Sequence, residues 1–336
     1  MNAGRLTDQQ VVKRIHEVAV TLVPHQDVIL TSWSGCLAAR IVFDTLRKRG
    51  IVFRKKERKP FITYPLLRFD GTPIFSGFTR RKGDMLEPSK FGGYAVIKSG
   101  EPVVLKAVFL REDITETFVN ELPATISVPS GKFSLIRLEA NRIDLQRNSL
   151  TETVEKLVKT QIALIKVKFW APTCFCLSGV DITYPSPMRF TFSILKNLAE
   201  VSRDTISTKY VALKLATAID LLSPKMKAVK KENKIKIISD YKWILVDIGE
   251  GRIQPAFIGR ALYVLSTIRL TVEELNLLVK ALELAKYTGV GISKTIGFGK
   301  IDYTITSISQ KNTRLKRKSP TLSQYHKTIF FTTVCN

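Results

Sequence analysis

The sequence predicts an α+β protein made of two tandem β-α-β-β-α-β halves. Three observations carry this. Strand-like alternation and helix-like apolar faces follow one another in the same order twice along 336 residues. The chain is 45% apolar, so two cores can be buried. The third is residues 271–307, which read as a complete helix, loop and strand. Thr271 and Glu274 form a capping-box start. Leu275, Leu278, Leu282 and Ala285 recur at helical spacing. Gly289 ends the helix where a positive φ is wanted. Ile301, Tyr303 and Ile305 then alternate with Asp302, Thr304 and Thr306, as on a half-buried strand.

The first half is read from its start. Residues 17–24 alternate as a strand. Ser32 or Ser34 can cap a helix whose face is Leu37, Ala38, Ile41, Val42 and Leu46, ending near Gly50. KPFITYPLLR, 59–68, is a second strand, and Asp70-Gly71-Thr72-Pro73 is a turn. Residues 94–97 and 103–111 read as a hairpin across Ser99-Gly100. Asp113 caps a short helix to about Leu122, and 132–138 is a strand. This order is ferredoxin-like with an inserted hairpin. The N-terminal domain is expected over 1–145, and the polar stretch 141–155 is read as a linker.

The second half, 156–308, repeats the order without obvious identity. Residues 161–170 form its first strand. Ser186 and Pro187 fit an N-cap and first helical position before Phe190, Ile194, Leu195 and Leu198. A helix near 208–222 is additional. Strands follow at 243–248 and 254–265, then the 271–287 helix and the 299–307 strand. Residues 309–336 hold Lys311, Arg314, Lys316, Arg317 and Lys318 and read as a basic tail.

Charge narrows the function. Fifty-three basic residues face 29 acidic ones, a formal net charge of +24 with a pI near 9.9. Such a chain attracts polyanions, with nucleic acid the default partner and a membrane surface the runner-up. No apolar run is long enough to span a bilayer. The first residues lack the apolar core of a signal peptide, so a cytoplasmic protein is expected. Cys36, Cys174, Cys176 and Cys335 have no zinc spacing and read as buried or incidental thiols. No metal and no cofactor is expected.

Between the last helix and strand stands GVGISKTIGFGK. Gly289, Gly291, Gly297 and Gly299 permit positive φ and close approach. With Lys294 and Lys300 they suggest a loop shaped around a phosphate. The plainer alternative is a glycine-rich turn that joins two elements. Residues 47–59, RKRGIVFRKKERK, hold eight basic residues against Glu57, and 225–236 hold six against Glu232. Either run can be a solvated face. The first, with Arg47, Lys55 and Lys56, is also placed to track phosphates.

The motif G-x-G, five residues, G-x-G, set in a second ferredoxin-like half, resembles the RAMP superfamily. Within it the chain resembles the CRISPR-associated endoribonucleases that cut repeat transcripts into guide RNAs. PHQDVIL (24–30) and KPFITYPLL (59–67) are similar to the N-terminal half of crenarchaeal members. FWAPTCF (169–175) and SPMRFTFSILKNL (186–198) are similar to the start of the C-terminal half. The resemblance implies metal-independent cleavage, in which a 2′-hydroxyl attacks the adjacent phosphate to leave a 2′,3′-cyclic phosphate and a 5′-hydroxyl. It implies repeat RNA as partner, with a CRISPR effector complex or a second copy of the chain as further partners. Many members carry a histidine near the end of the first helix. Here Leu46-Arg47-Lys48-Arg49-Gly50 has none, which leaves open a non-catalytic RAMP subunit that binds guide RNA.

His16, His25 and His326 are the only histidines. His25 is a candidate base, though a surface-turn histidine is the plainer reading. Arg40, Lys59, Arg252 and Lys294 are therefore the catalytic candidates, and Gly289, Gly291, Gly297, Gly299, Lys300, Arg47, Lys55 and Lys56 the RNA-binding ones. An ordinary lysine is a poor base at pH 7. Catalysis by in-line positioning and charge neutralisation, with a shallow pH profile, is the expectation.

Overall fold

The computed structural model describes residues 15–54, 57–82, 85–144, 148–202, 206–222, 227–231, 234–238 and 240–307. Lys55, Lys56 and the basic tail lie outside the described residues, as does part of the 225–236 run. Two antiparallel sheets organise the chain, and each has the expected ferredoxin-like order. In the N-terminal domain the strands run Phe61–Thr63, Val103–Phe109, His16–Pro24, Gly131–Arg142 and Thr125–Val128 across the sheet. In the C-terminal domain Ile301–Ser307, Ile162–Thr173, Ile253–Ser266 and Tyr241–Asp247 lie side by side.

Each sheet is covered on one face by helices. Helix α1 (Ser34–Arg47) and helix α2 (Glu112–Glu121) cover the first. Ala38, Ile41, Val42 and Leu46 of α1 are buried against Val20, Leu105, Phe109 and Phe118. The cap differs from expectation: Trp33 is the N-cap residue and makes no side-chain cap bond. The Ser34 hydroxyl instead donates to the Ile74 carbonyl at 2.6 Å. The aromatic side chain at Trp33 serves a different purpose, given below.

Helix α3 (Asn148–Val158) corrects the linker reading. Its composition is polar, but Leu150, Val154 and Leu157 stand at i, i+4 and i+7 and are buried in the C-terminal core. Polarity averaged over the stretch hid a narrow apolar stripe. Helix α4 (Pro187–Ser202) and helix α6 (Val272–Thr288) fill the same core with Phe190, Ile194, Leu198, Leu275, Leu278 and Leu282. Helix α5 (Ile206–Ala218) ends earlier than expected, because Ile219–Leu222 turns into a strand paired with Ile253–Ser266. The capping box of α6 is present, with both Thr271 and Glu274 side chains engaged.

A second correction concerns the inserted hairpin. Ala95–Ile97 does not pair with Val103–Phe109; it pairs with Val28–Leu30. Asp27 captures the intervening turn, accepting from Ser99 N at 2.9 Å and from Lys98 Nζ at 2.7 Å. The hairpin that does form, Phe78–Lys82 with Met85–Pro88, leaves its own half. It extends the C-terminal sheet through Thr79 opposite Leu245 and Phe78 opposite Val246.

Where the halves meet, a third core forms from Trp33, Phe78, Ala171, Val246, Ala256 and Phe298. Trp33 is fully buried. Its ring stacks on Phe78 with centroids 5.9 Å apart and meets Phe298 edge-on at 5.9 Å. Its Nε1 donates to the Ile296 carbonyl at 2.7 Å, and its backbone N–H donates to Asp247 O at 2.8 Å. Trp33→Ala removes a buried aromatic from both halves at once, and we expect a loss of about 3–5 kcal/mol in urea unfolding. Trp33→Phe keeps most of the packing but strands the Ile296 carbonyl, with a smaller loss of about 1–3 kcal/mol.

Candidate RNA-cleavage site

The glycine loop lies on this seam. Gly289, Gly291, Gly297 and Gly299 all have positive φ, between 66° and 80°. The loop is not an open phosphate cradle, which corrects the expectation for these four residues. Gly289 N–H donates to Ala285 O, Gly291 N–H to Ser193 Oγ, Gly297 N–H to Lys294 O and Gly299 N–H to Pro172 O. With their amides taken up inside the protein, none of the four can offer its N–H to an anion. What the glycines provide is closeness. A Cβ on Gly299 would sit 1.8 Å from Val290 O, and one on Gly291 would sit 2.2 Å from Cys174 O. A Cβ on Gly297 would sit 2.6 Å from Pro65 N of the other domain. The loop is thus a clasp between domains, not a flexible hinge. Thr63 Oγ1 reinforces it by donating to Thr295 O at 2.7 Å.

The clasp presents Lys294 to a cleft of about 970 Å³ between the halves. The N-terminal domain lines it with Arg40 and Arg47 of α1 and with Arg58 and Lys59 from the segment before Phe61–Thr63. The C-terminal domain contributes Arg252 and the loop residues 293–296. All four sequence-predicted catalytic candidates, Arg40, Lys59, Arg252 and Lys294, therefore meet in one place. Six basic residues line the cleft against Asp44, Glu57 and Glu250. The acids hold some of the cations in position. Asp44 lies 3.6 Å from Arg40 and 3.3 Å from Arg47, and Glu250 lies 3.3 Å from Arg252. Lys59 Nζ donates to the Arg54 and Glu57 carbonyls, each at 2.6 Å.

Lys294 has a different character from the rest. It begins a single 3-10 turn, Lys294–Ile296, after Ser293 in the left-handed region at φ 59°. Its Nζ donates to Asn197 Oδ1 on α4. Burial pushes its pKa down to about 7, with the charges of Arg58 and Lys196 acting in the same direction. Arg58 is itself ion-paired with Glu200 of α4. Lysine at this position is consequently able to gain or lose a proton near neutral pH. The expectation of a shallow pH profile rested on an ordinary lysine, and the burial at this seam removes that premise.

Besides the four glycines, Lys300 and His25 are not brought to the cleft. Lys300 is fully buried, its Nζ 3.5 Å from the centroid of the Tyr64 ring and donating to the Tyr287 carbonyl. No phosphate can reach it there; it belongs to the seam, where burial drives its pKa well below the ordinary value. His25 sits on an exposed turn, 2.7 Å from Ser134 Oγ, and is not among the residues lining the cleft. His326 lies outside the described residues. Sequence reasoning missed Arg58, Asn197 and Glu200. Asn197 stood in the quoted SPMRFTFSILKNL segment four residues after Ser193 and three before Glu200, and that polar stripe on a helix with a strong apolar face is the signal that could have found it.

The tandem ferredoxin-like fold is shared with solved Cas6 structures. The Cas6 of Thermus thermophilus is 17% identical, covering 88% of this chain and 100% of its own, with a TM-score of 0.52. Its product complex gives 16%, 87%, 100% and 0.56, and the product complex of a second Cas6 gives 16%, 85%, 99% and 0.51. In sequence, residues 167–301 match the family described as CRISPR-associated endoribonuclease Cas6. This segment, about two fifths of the chain, is similar to that family and holds α4, α6 and the glycine loop. No curated protein matches the chain. Among the described residues no helix is long and apolar enough to cross a membrane.

The two buried lysines make stability depend on pH. Unfolded, each keeps its proton up to about pH 10.5. Folded, each releases it earlier, Lys294 at about pH 7. Across that interval the unfolded chain binds more protons, so stability rises with pH and is lost as pH falls through 7. Above about pH 9 the thiols of partly buried Cys36 and buried Cys174, pushed up to about 12, act in the opposite sense. Urea unfolding between about pH 6.5 and 8.5 should therefore show rising stability. The rise should flatten in Lys294→Met and again in Lys300→Met.

Proposed function

We propose that the chain is a metal-independent Cas6-type endoribonuclease that binds CRISPR repeat RNA and cuts precursor transcripts into guide RNAs. The observation that carries this is the convergence of Arg40, Lys59, Arg252 and Lys294, from two domains, on one cationic cleft. A ribose-phosphate backbone is the polyanion such a cleft fits. The reaction needs a base for the 2′-oxygen, charge for the phosphorane and a proton for the leaving 5′-oxygen.

In this reading Lys294, as the neutral amine, takes the 2′-hydroxyl proton. The 2′-oxygen then bonds to phosphorus, and the P–O5′ bond breaks to leave a 2′,3′-cyclic phosphate and a 5′-hydroxyl. Arg252 and Arg40 neutralise the non-bridging oxygens, and Lys59 protonates the departing 5′-oxygen. Arg47, Lys55 and Lys56 hold the flanking phosphates. The absence of a histidine at the end of α1 is met by this lysine, whose burial supplies the acidity a histidine has by nature. The family match, the shared fold and the geometry of the cleft support the reading. The protein works in the cytoplasm, alone, as a pair or handing its product to an effector complex.

Purified protein incubated with labelled repeat RNA in EDTA should make a single cut, blocked by one 2′-deoxy substitution at the scissile position. Tight binding without a cut would instead identify a non-catalytic guide-RNA-binding subunit. The single-turnover rate should rise with pH to a midpoint near 7. Lys294→Met should lose about 100- to 1,000-fold in rate, with Kd changed less than about threefold. Arg47→Ala should weaken binding and lower the slope of log K against log salt by about one, whereas Lys300→Met leaves that slope unchanged.

A further inference from the structure

Helix α4 carries a polar stripe that faces the clasp. Ser193, Asn197 and Glu200 stand at i, i+4 and i+7, on one face. Ser193 Oγ accepts from Gly291 N–H at 2.7 Å, and Glu200 takes Arg58. Between them Asn197 is 2% exposed. Its Nδ2 donates to Thr288 Oγ1 at 2.9 Å and to Gly289 O at 2.7 Å. Both amide hydrogens are thereby used at the entrance of the loop. The Gly289 carbonyl can only accept, so the amide cannot turn over. Its Oδ1 is left facing Lys294 Nζ, from which it accepts.

We propose that Asn197 is a positioning residue for the cleavage reaction: by holding one N–H of the neutral Lys294 amine, it aims that nitrogen's lone pair at the cleft. The inference rests on the reading of Lys294 as the base. A neutral amine keeps two hydrogens and one lone pair. Once a hydrogen is fixed on Oδ1, rotation about Cε–Nζ is set, and the second hydrogen and the lone pair are confined to the two remaining positions of a side chain that lines the cleft. The partner must also be uncharged. An aspartate there would bind the ammonium form and hold the proton on the lysine. The charged groups bearing on Lys294 are Arg58 and Lys196, both cationic, with Glu200 engaged by Arg58; Lys300 beyond them is driven towards its neutral form by burial. Among the described residues no carboxylate acts on Lys294 against them, so a neutral amide lets the site stay poised.

The test is the pH–rate profile of full-length protein on labelled repeat RNA, at saturating enzyme. In Asn197→Asp the ascending limb should move up by about one pH unit or more, while the rate at high pH returns to within about threefold of the parent. An unmoved limb with a rate loss at every pH would make Asn197 merely structural and overturn the proposal. Asn197→Ala serves as the second variant should the aspartate form fail to fold. It should lose about 30-fold or more in rate with Kd within about threefold of the parent. An unchanged rate in Asn197→Ala would equally overturn it. If the parent itself shows no limb near pH 7, the assignment of Lys294 as base fails first, and the role of Asn197 fails with it.

Discussion

The indole of Trp33 belongs to the N-terminal domain by sequence and to the C-terminal domain by contact. It stacks on Phe78, meets Phe298 edge-on and holds the Ile296 carbonyl. Phe298 and Ile296 lie within the glycine loop, so the ring fixes the loop's position against helix α1. The cleft exists because that position is fixed. Arg40 rides on α1, directly after Trp33, and Lys294 rides on the loop, two residues before Ile296. A seam that slipped would separate the two cations by moving whole domains. Exchange of a strand hairpin makes slippage harder, since Phe78 and Thr79 are built into the partner sheet.

The same seam sets the chemistry. An interface core excludes water, and a lysine beside it pays for its charge in lost hydration. Lys294 is caught in this way, with Arg58 and Lys196 adding repulsion. Lys300, six residues on, is caught more completely and becomes a structural side chain lying over Tyr64. One short loop thus holds two lysines with opposite fates. Depth decides between them: Lys300 is sealed beneath Tyr64 and Tyr287, while Lys294 keeps an edge on the cleft.

Much of the fold was legible because periodicity reports burial directly. The helix after Thr271 and the alternating strand from Ile301 were both read with their caps and faces. The order of elements gave both sheets. The linker was misread because three apolar residues, Leu150, Val154 and Leu157, were diluted by charged neighbours. The hairpin was misread because Asp27 captures the turn at Ser99 from far away in sequence, and no local rule contains that partner. Candidate cations could be chosen by residue type and loop context, and Arg40, Lys59, Arg252 and Lys294 share one cleft. What sequence could not supply was depth. Lys294 and Lys300 look alike as letters, and the motif glycines look like a phosphate cradle until their amides are followed to Ala285, Ser193 and Pro172.

Lys294 is driven towards neutrality by its place in the seam. Its proton can be watched directly by following the Cε and Nζ resonances of isotopically labelled lysine through a pH titration, with Lys294→Met used to assign the signal. One lysine should titrate at about 7, well apart from the surface lysines. A Lys294 signal titrating with the others, near 10.5, would contradict it.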